Sequence, residues 1–158
     1  MPNSIRAFVA LCALLLAAAA CGGDETGGSA TGSSDCRPGH TERFESGLEV
    51  TDIECGDGKQ AKEGDLLSVS YVGRLKSGKV FDASRRHGGP FQFVLGAGGV
   101  IPGWDVGLRG MRAGGKRRLV IPPDLAYGSS GVPQAGIPPN ATLVFDVTLE
   151  EVKERKGG

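Results

Sequence analysis

The chain has 158 residues and a formal net charge of zero, with 39% hydrophobic and 23% charged residues, the profile of one ordinary globular domain. Balanced charge gives no electrostatic support for nucleic-acid binding. Twenty-seven glycines and nine prolines call for many turns rather than long helices, so a β-rich fold is expected.

Arg6 precedes an apolar run from Ala7 to Ala20. A basic start, a short apolar stretch and small residues at its end have the form of an export signal. A spanning helix needs roughly 20 apolar residues, so residues 1–20 are expected to be removed rather than retained in a bilayer. The residues Ala18-Ala19-Ala20-Cys21 resemble the lipobox of bacterial lipoproteins, where the cysteine after the cut receives the lipid. Ala18 departs from the leucine usual in that motif, and simple cleavage with secretion is the alternative. The adjoining GGDETGGSATGSS is too polar to bury a core, so residues 21–44 read as a flexible tether. Lipidation at Cys21 implies a protein held at the outer face of the cell membrane by its lipid alone.

Cys12 lies in the signal and Cys21 is the lipid candidate, which leaves Cys36 and Cys55 in the exported part. Two readings stand for them. In an oxidising compartment they form a disulfide closing a loop of about 20 residues, worth roughly 3 kcal/mol; otherwise they are two free thiols. No metal is expected, because these cysteines lack ligand spacing and His40 and His87 show no pattern with them.

The folded domain is expected over residues 45–153, with a short tail at 154–158. Leu67, Val69, Tyr71 and Leu75 share one face of an alternating stretch, Phe91, Phe93 and Leu95 another, and Leu119 with Ile121 a third; these predict half-buried strands. The clearest is Ala141 to Val152, where Leu143, Phe145, Val147 and Leu149 point one way and Val144, Asp146, Thr148 and Glu150 the other. One segment reads as a helix, Pro102 to Leu108, with proline in its first turn and Trp104 and Leu108 on one stripe. Residues 124–139 predict a long loop, of the length that is usually functional. Lys116-Arg117-Arg118 reads as a solvated face, and Gly96-Ala97-Gly98-Gly99 as a turn, since neither a phosphate-loop nor a dinucleotide spacing is present.

Six stretches in order, YVGRL (71–75), GKVFDAS (78–84), PFQFVLG (90–96), VIPGWDVGL (100–108), LAYG (125–128) and IPPNATLVFDVTL (137–149), resemble the FKBP-type prolyl isomerases. With SGLEV (46–50) and GDGKQAKEGD (56–65), the resemblance covers residues 45–152. It implies an α+β fold, a twisted antiparallel sheet of five or six strands wrapped over one short helix. Between helix and sheet it implies a pocket lined by Tyr71, Phe81, Asp82, Phe91, Val100, Ile101, Trp104, Tyr127, Ile137 and Phe145. Trp104 forms the floor, and Phe93 packs in the core. Departures cluster after Tyr127. There the segment 129–136 is one residue longer than in short family members, and Val132 and Gly136 replace a histidine and an isoleucine, which bears on sequence preference.

The implied reaction is rotation about an X-Pro bond, whose barrier is about 18–20 kcal/mol and which breaks no covalent bond. A twisted amide loses resonance and is less polar at its carbonyl, so an aromatic pocket favours it over the planar ground state. Tyr71, Phe91, Trp104 and Phe145 would hold the proline ring. The N–H of Ile101 and the hydroxyl of Tyr127 would anchor carbonyls, and Asp82 would orient aromatic hydroxyls and act on the twisting carbonyl. No nucleophile or cofactor is required. The implied partners are proline-containing polypeptides and the macrolides rapamycin and tacrolimus. The alternative is a proline-segment-binding chaperone or interaction module with little turnover.

Overall fold

The computed structural model describes residues 36–155; residues 1–20, Cys21, most of the segment read as a tether and the last three residues of the tail lie outside it. Among the described residues no helix is long and apolar enough to cross a membrane.

Seven antiparallel strands of the described residues form one sheet: β1 (Thr41–Arg43), β2 (Glu49–Glu54), β3 (Leu66–Leu75), β4 (Val80–Ala83), β5 (Phe91–Val94), β6 (Lys116–Ile121) and β7 (Leu143–Lys153). Their spatial order is β1-β2-β6-β7-β3-β4, with β5 also on β3. A short helix, α1 (Pro102–Gly107), lies against β6. This is the expected architecture with one strand more. The extra strand is β1, from the segment read as tether: Thr41 and Thr51 share a hydroxyl hydrogen bond at 2.8 Å, and Arg43 pairs with Glu49 at 2.9 Å. Ahead of it, Cys36 is disulfide-bonded to Cys55, with Cα atoms 5.7 Å apart. The fold therefore reaches back beyond residue 45, because three polar residues form a strand once a neighbour and a covalent bond hold them, a tertiary effect that local composition does not carry.

The alternation of β7 takes Leu143, Phe145, Val147 and Leu149 into the core. Opposite Ser68 and Val69 the register slips, leaving Glu150 as an extra residue between Leu149 and Glu151. A bulge of this kind inverts the phase of the strand beyond it. Glu150 and Glu151 both face water, and Val152 returns to the interior.

One edge of β3 is shared. β5 pairs with Leu66 to Val69 and β4 with Val72 to Arg74. In the interval the N–H of Tyr71 donates to the hydroxyl of Ser84 at 3.1 Å, which keeps a half-buried backbone donor satisfied. Ser84, almost fully buried, opens the 3-10 turn Ser84–His87.

Helix α1 sits very close to the sheet. A Cβ on Gly103 would lie 2.4 Å from Ile121, and one on Gly107 would lie 2.8 Å from Leu119, so these positions, four apart on one helical face, admit hydrogen alone. Arg117 anchors the end of the helix. Its guanidinium donates to the carbonyls of Gly107 at 2.8 Å and Arg109 at 3.2 Å, and pairs with Asp52 at 2.7 Å. This corrects the reading of 116–118 as a solvated face. The alternation of β6 turns Arg117 inward, where it is only 7% exposed, and outward Arg118 joins Arg74 in binding Asp146.

Candidate functional site

Four strands and the helix deliver aromatic rings to one hollow. Trp104, in the first turn of α1, is buried at its base. Tyr71 from β3 stands edge-on to it with ring centres 5.1 Å apart, and Phe145 from β7 does so at 5.3 Å. Phe81 from β4 meets Phe145 at 5.6 Å and 88°. These T-shaped contacts match the ring quadrupoles. The Phe81–Phe145 contact is possible because residue 73 is glycine: a Cβ there would lie 2.7 Å from Phe81 and 2.8 Å from Phe145.

The result is a cavity of about 180 Å³, room for a single ring, with anything larger lying across the rim. Val100, Ile101 and Gly99 form one side. They are held by Asp105, whose carboxylate accepts the N–H groups of Gly96 at 2.8 Å and Gly98 at 3.2 Å, so that the glycine turn is tied to the helix behind it. Ile101 precedes the helix, and its carbonyl accepts the N–H of Trp104 at 2.9 Å. Its own N–H takes part in none of the hydrogen bonds among the described residues. Phe91 and Tyr127 stand at the mouth, 42% and 41% exposed.

Asp82 is the only acid in the lining. Its Oδ2 accepts the hydroxyl of Tyr71 at 2.7 Å, its Oδ1 accepts the N–H of Ala83 at 2.8 Å, and Oδ1 also meets Nε2 of His87 at 2.8 Å. Burial alone would raise its pKa, but the bonds from Tyr71, His87 and the Ala83 N–H outweigh burial and hold it below the ordinary value of 3.8. Burial, and then the same bond to Asp82, push the Tyr71 hydroxyl far above its ordinary range. Burial and the Asp82 charge raise Tyr127 as well. At neutral pH the site holds one carboxylate and two intact phenols.

Of the ten residues expected around the pocket, nine are there, and Phe93 packs in the core as expected. Ile137 is not. It is 2% exposed and belongs to the core. The loop folds back on itself through reciprocal bonds between Val132 and Ile137 at 2.9 and 3.0 Å, and Gly131, with φ of +59°, lies against the Ile137 and Pro138 backbone where no side chain fits. That tight turn directs Ile137 inward. Two residues at the site carry no sequence signal of their role. Gly99 lines the cavity with its backbone, and a backbone role leaves no mark in side-chain chemistry. His87 shows no pattern in the sequence, yet it contacts Asp82, because the 3-10 turn Ser84–His87 brings a residue five positions on back to the carboxylate. Among the described residues no group of His, Cys, Asp and Glu is arranged to hold a metal ion.

A curled antiparallel sheet closed over one short helix, with an aromatic cavity between them, is the FKBP-like fold. The family profile of the FKBP-type peptidyl-prolyl cis-trans isomerases matches residues 57–150. The chain is 50% identical over 117 residues to FK506-binding protein 4 of Neurospora crassa, covering 74% of this chain and 24% of that protein. It is 54% identical over 104 residues to FK506-binding protein 4 of Dictyostelium discoideum, covering 66% and 28%. Among solved structures it is similar to FkpA from Escherichia coli, with 50% identity, TM-score 0.65 and coverage of 72% of this chain and 52% of that one. It is also similar to AtFKBP13, with 42% identity, TM-score 0.66 and coverage of 71% and 98%. The chain belongs to the FKBP-type peptidyl-prolyl cis-trans isomerase family. It spans about a quarter of the length of the curated relatives it matches.

Proposed function

We propose that this domain accelerates cis-trans rotation about X-Pro bonds in exported polypeptides by enclosing the twisted amide in the aromatic cavity. The observation that carries the reading is the cavity itself. Six aromatic side chains surround a space for one ring, and a free backbone donor, the Ile101 N–H, stands beside it. A proline ring enters over Trp104 between Tyr71, Phe91 and Phe145. The Ile101 N–H and the Tyr127 hydroxyl take the flanking carbonyls, fixing the backbone on both sides of the bond that turns. As resonance is lost the amide becomes less polar, and a site with little water favours that state over the planar one. Asp82 keeps the Tyr71 ring in place and presents one negative charge to the turning carbonyl.

The same cavity supports binding of rapamycin and tacrolimus. The curated relatives carry FK506 binding in their names, and a macrolide that offers one ring to the hollow covers the rim with the rest. The leader at residues 1–20 and Cys21 support export with a lipid anchor at the outer membrane face, or secretion if cleavage leaves the cysteine unmodified. Mass spectrometry of the membrane-bound chain, searched for a lipid on Cys21, separates the two.

The test of activity is exchange of a proline tetrapeptide, with and without rapamycin, for the wild-type chain and for Phe145→Ala and Asp82→Ala. Rapid exchange, blocked by the macrolide and lost in Phe145→Ala, is the expected result. A folded protein that binds proline peptides with exchange at the uncatalysed rate would replace the enzyme by a binding module.

A further inference from the structure

The face of the sheet turned away from the aromatic cavity carries a second hollow, of about 540 Å³, that the isomerase reading does not use. Its floor is apolar and its rim is cationic. Along β3, Val72 and Arg74 alternate with Tyr71 and Gly73, which lie against the rings, and alternate side chains of a strand point to opposite faces. Val72 pairs with Ala83 and Arg74 with Val80 across β3 and β4. The valines and Ala83 form the floor, and Arg85 and Arg86 of the following turn close one end. No acid lines the hollow. Asp146, which pairs with Arg74 at 2.7 Å, is shared with Arg118 at the same distance. Nη1 of Arg86 donates to the Phe81 carbonyl at 3.1 Å, while Arg85 is exposed and takes part in none of the hydrogen bonds or ion pairs among the described residues. Three guanidinium groups thus stand around an apolar floor, balanced by one carboxylate that a fourth already claims.

We propose that this hollow is a docking site for acidic stretches of polypeptide, in which carboxylates meet Arg74, Arg85 and Arg86 while an interspersed aliphatic side chain rests on Val72 and Val80. The argument is charge complementarity joined to an apolar floor. Guanidinium grips a carboxylate through paired N–H donors, and the floor asks for a side chain that a small anion does not have. A lipid surface fits the hollow less well. Val80 is only 36% exposed and Ala83 is buried, and the lining holds no aromatic or leucine side chain to enter a bilayer. Among the described residues β4 has β3 as its one sheet neighbour, so the outer edge of β4 is the short way from the hollow to the aromatic cavity. A client held by its acidic stretch can pass a proline over that edge, and its second contact is then intramolecular. The docking site stands without the isomerase reading; this last consequence rests on it.

The test uses the whole chain and a short proline-free peptide of aspartate and glutamate around a central leucine. In NMR titration the peptide should shift the amides of Val72, Val80, Ala83 and Arg85 and leave the indole N–H of Trp104, the sole tryptophan, in place. Arg85→Glu and Val80→Glu, both at exposed positions, should each weaken binding at least about fivefold, the scale of one exposed ion pair. A peptide with glutamine at every acidic position should not bind. Joined to a proline tetrapeptide by a glycine-serine linker of about ten residues, which reaches roughly 17 Å, the acidic stretch should lower KM about tenfold with kcat unchanged, and Arg85→Glu should remove that gain. Shifts centred on Trp104 instead, binding unchanged in both variants, or binding to phosphatidylglycerol vesicles but not to the peptide overturns the proposal. Peptide binding at the hollow with no catalysed exchange of any substrate leaves the docking site standing and removes the isomerase reading. Catalysed exchange without peptide binding does the reverse.

Discussion

Arg117 and Asp52 face each other across β6 and β2 at 2.7 Å with 9% and 14% of their side chains exposed, a charge pair nearly out of water in a domain whose other ion pairs lie nearer the surface. The guanidinium also takes two carbonyls at the end of α1, so the pair ties the helix under the pocket to the sheet. Arg117→Ala leaves a buried carboxylate and two carbonyls without partners. A loss of about 3–5 kcal/mol is expected, read by urea unfolding at pH 7. The double variant Arg117→Met with Asp52→Leu, which buries no stranded charge, should lose much less.

Gly73→Ala tests the ring cluster. The added methyl would meet Phe81 and Phe145 at 2.7 and 2.8 Å, and strain of this kind costs about 1–3 kcal/mol. The rings must part, so catalysed exchange should fall with stability. Adding Phe81→Leu, which vacates space beside the methyl, should recover part of the stability. Equal stability of Gly73→Ala and wild type in urea would show that the rings yield freely.

Asp146 gives a pH dependence of known sign. Burial raises its pKa, but the hydrogen bonds and charges of Arg118 and then Arg74 outweigh this and hold it below the ordinary 3.8. A carboxyl whose pKa is lower folded than unfolded stabilises the fold above its unfolded pKa, and that contribution is lost as pH falls through the folded value. Asp146→Asn should therefore melt below wild type at pH 7, with the gap closing as pH drops beneath about 4. A gap of constant size from pH 7 to 2.5 would rule out this linkage.

The Cys36–Cys55 bond spans a sequence separation of 19, for which loop closure gives about 3 kcal/mol. Reduction is expected to lower the melting temperature and expose the amides of β1 to hydrogen exchange. The cavity, built from strands at the other end of the sheet and from α1, should keep the rapamycin binding proposed for it. The variant with both cysteines changed to serine should show the lower melting temperature whether or not reductant is added.

Period-two alternation makes β3 and β7 legible in the sequence, because each has one face in the core and one in water. The helix is legible too, through Pro102 and the spacing of Trp104 and Leu108. The features that local pattern misses depend on tertiary partners. Thr41 to Arg43 carry no apolar signal, and they form a strand because β2 and the disulfide hold them. Arg117 looks like its neighbours until the strand phase and the carbonyls of Gly107 and Arg109 are known. Ile137 looks like a pocket residue because its motif resembles the family's, but side-chain direction in a loop comes from turn geometry, here the close approach at Gly131. The bulge at Glu150 is invisible in composition, since glutamate is equally at home on a strand's wet face and in an extra position.

The glycines at 103 and 107 set a dimension. With only hydrogen between α1 and the side chains of Ile121 and Leu119, the helix rests at its lowest height above the sheet, and Trp104 rides on it. A methyl at either position acts as a shim under the tryptophan. It would raise the floor against Tyr71 and Phe145 and make the cavity shallower without altering a single residue that lines it. Substrate selection in this domain can thus drift through the packing beneath the pocket, with every wall residue left in place.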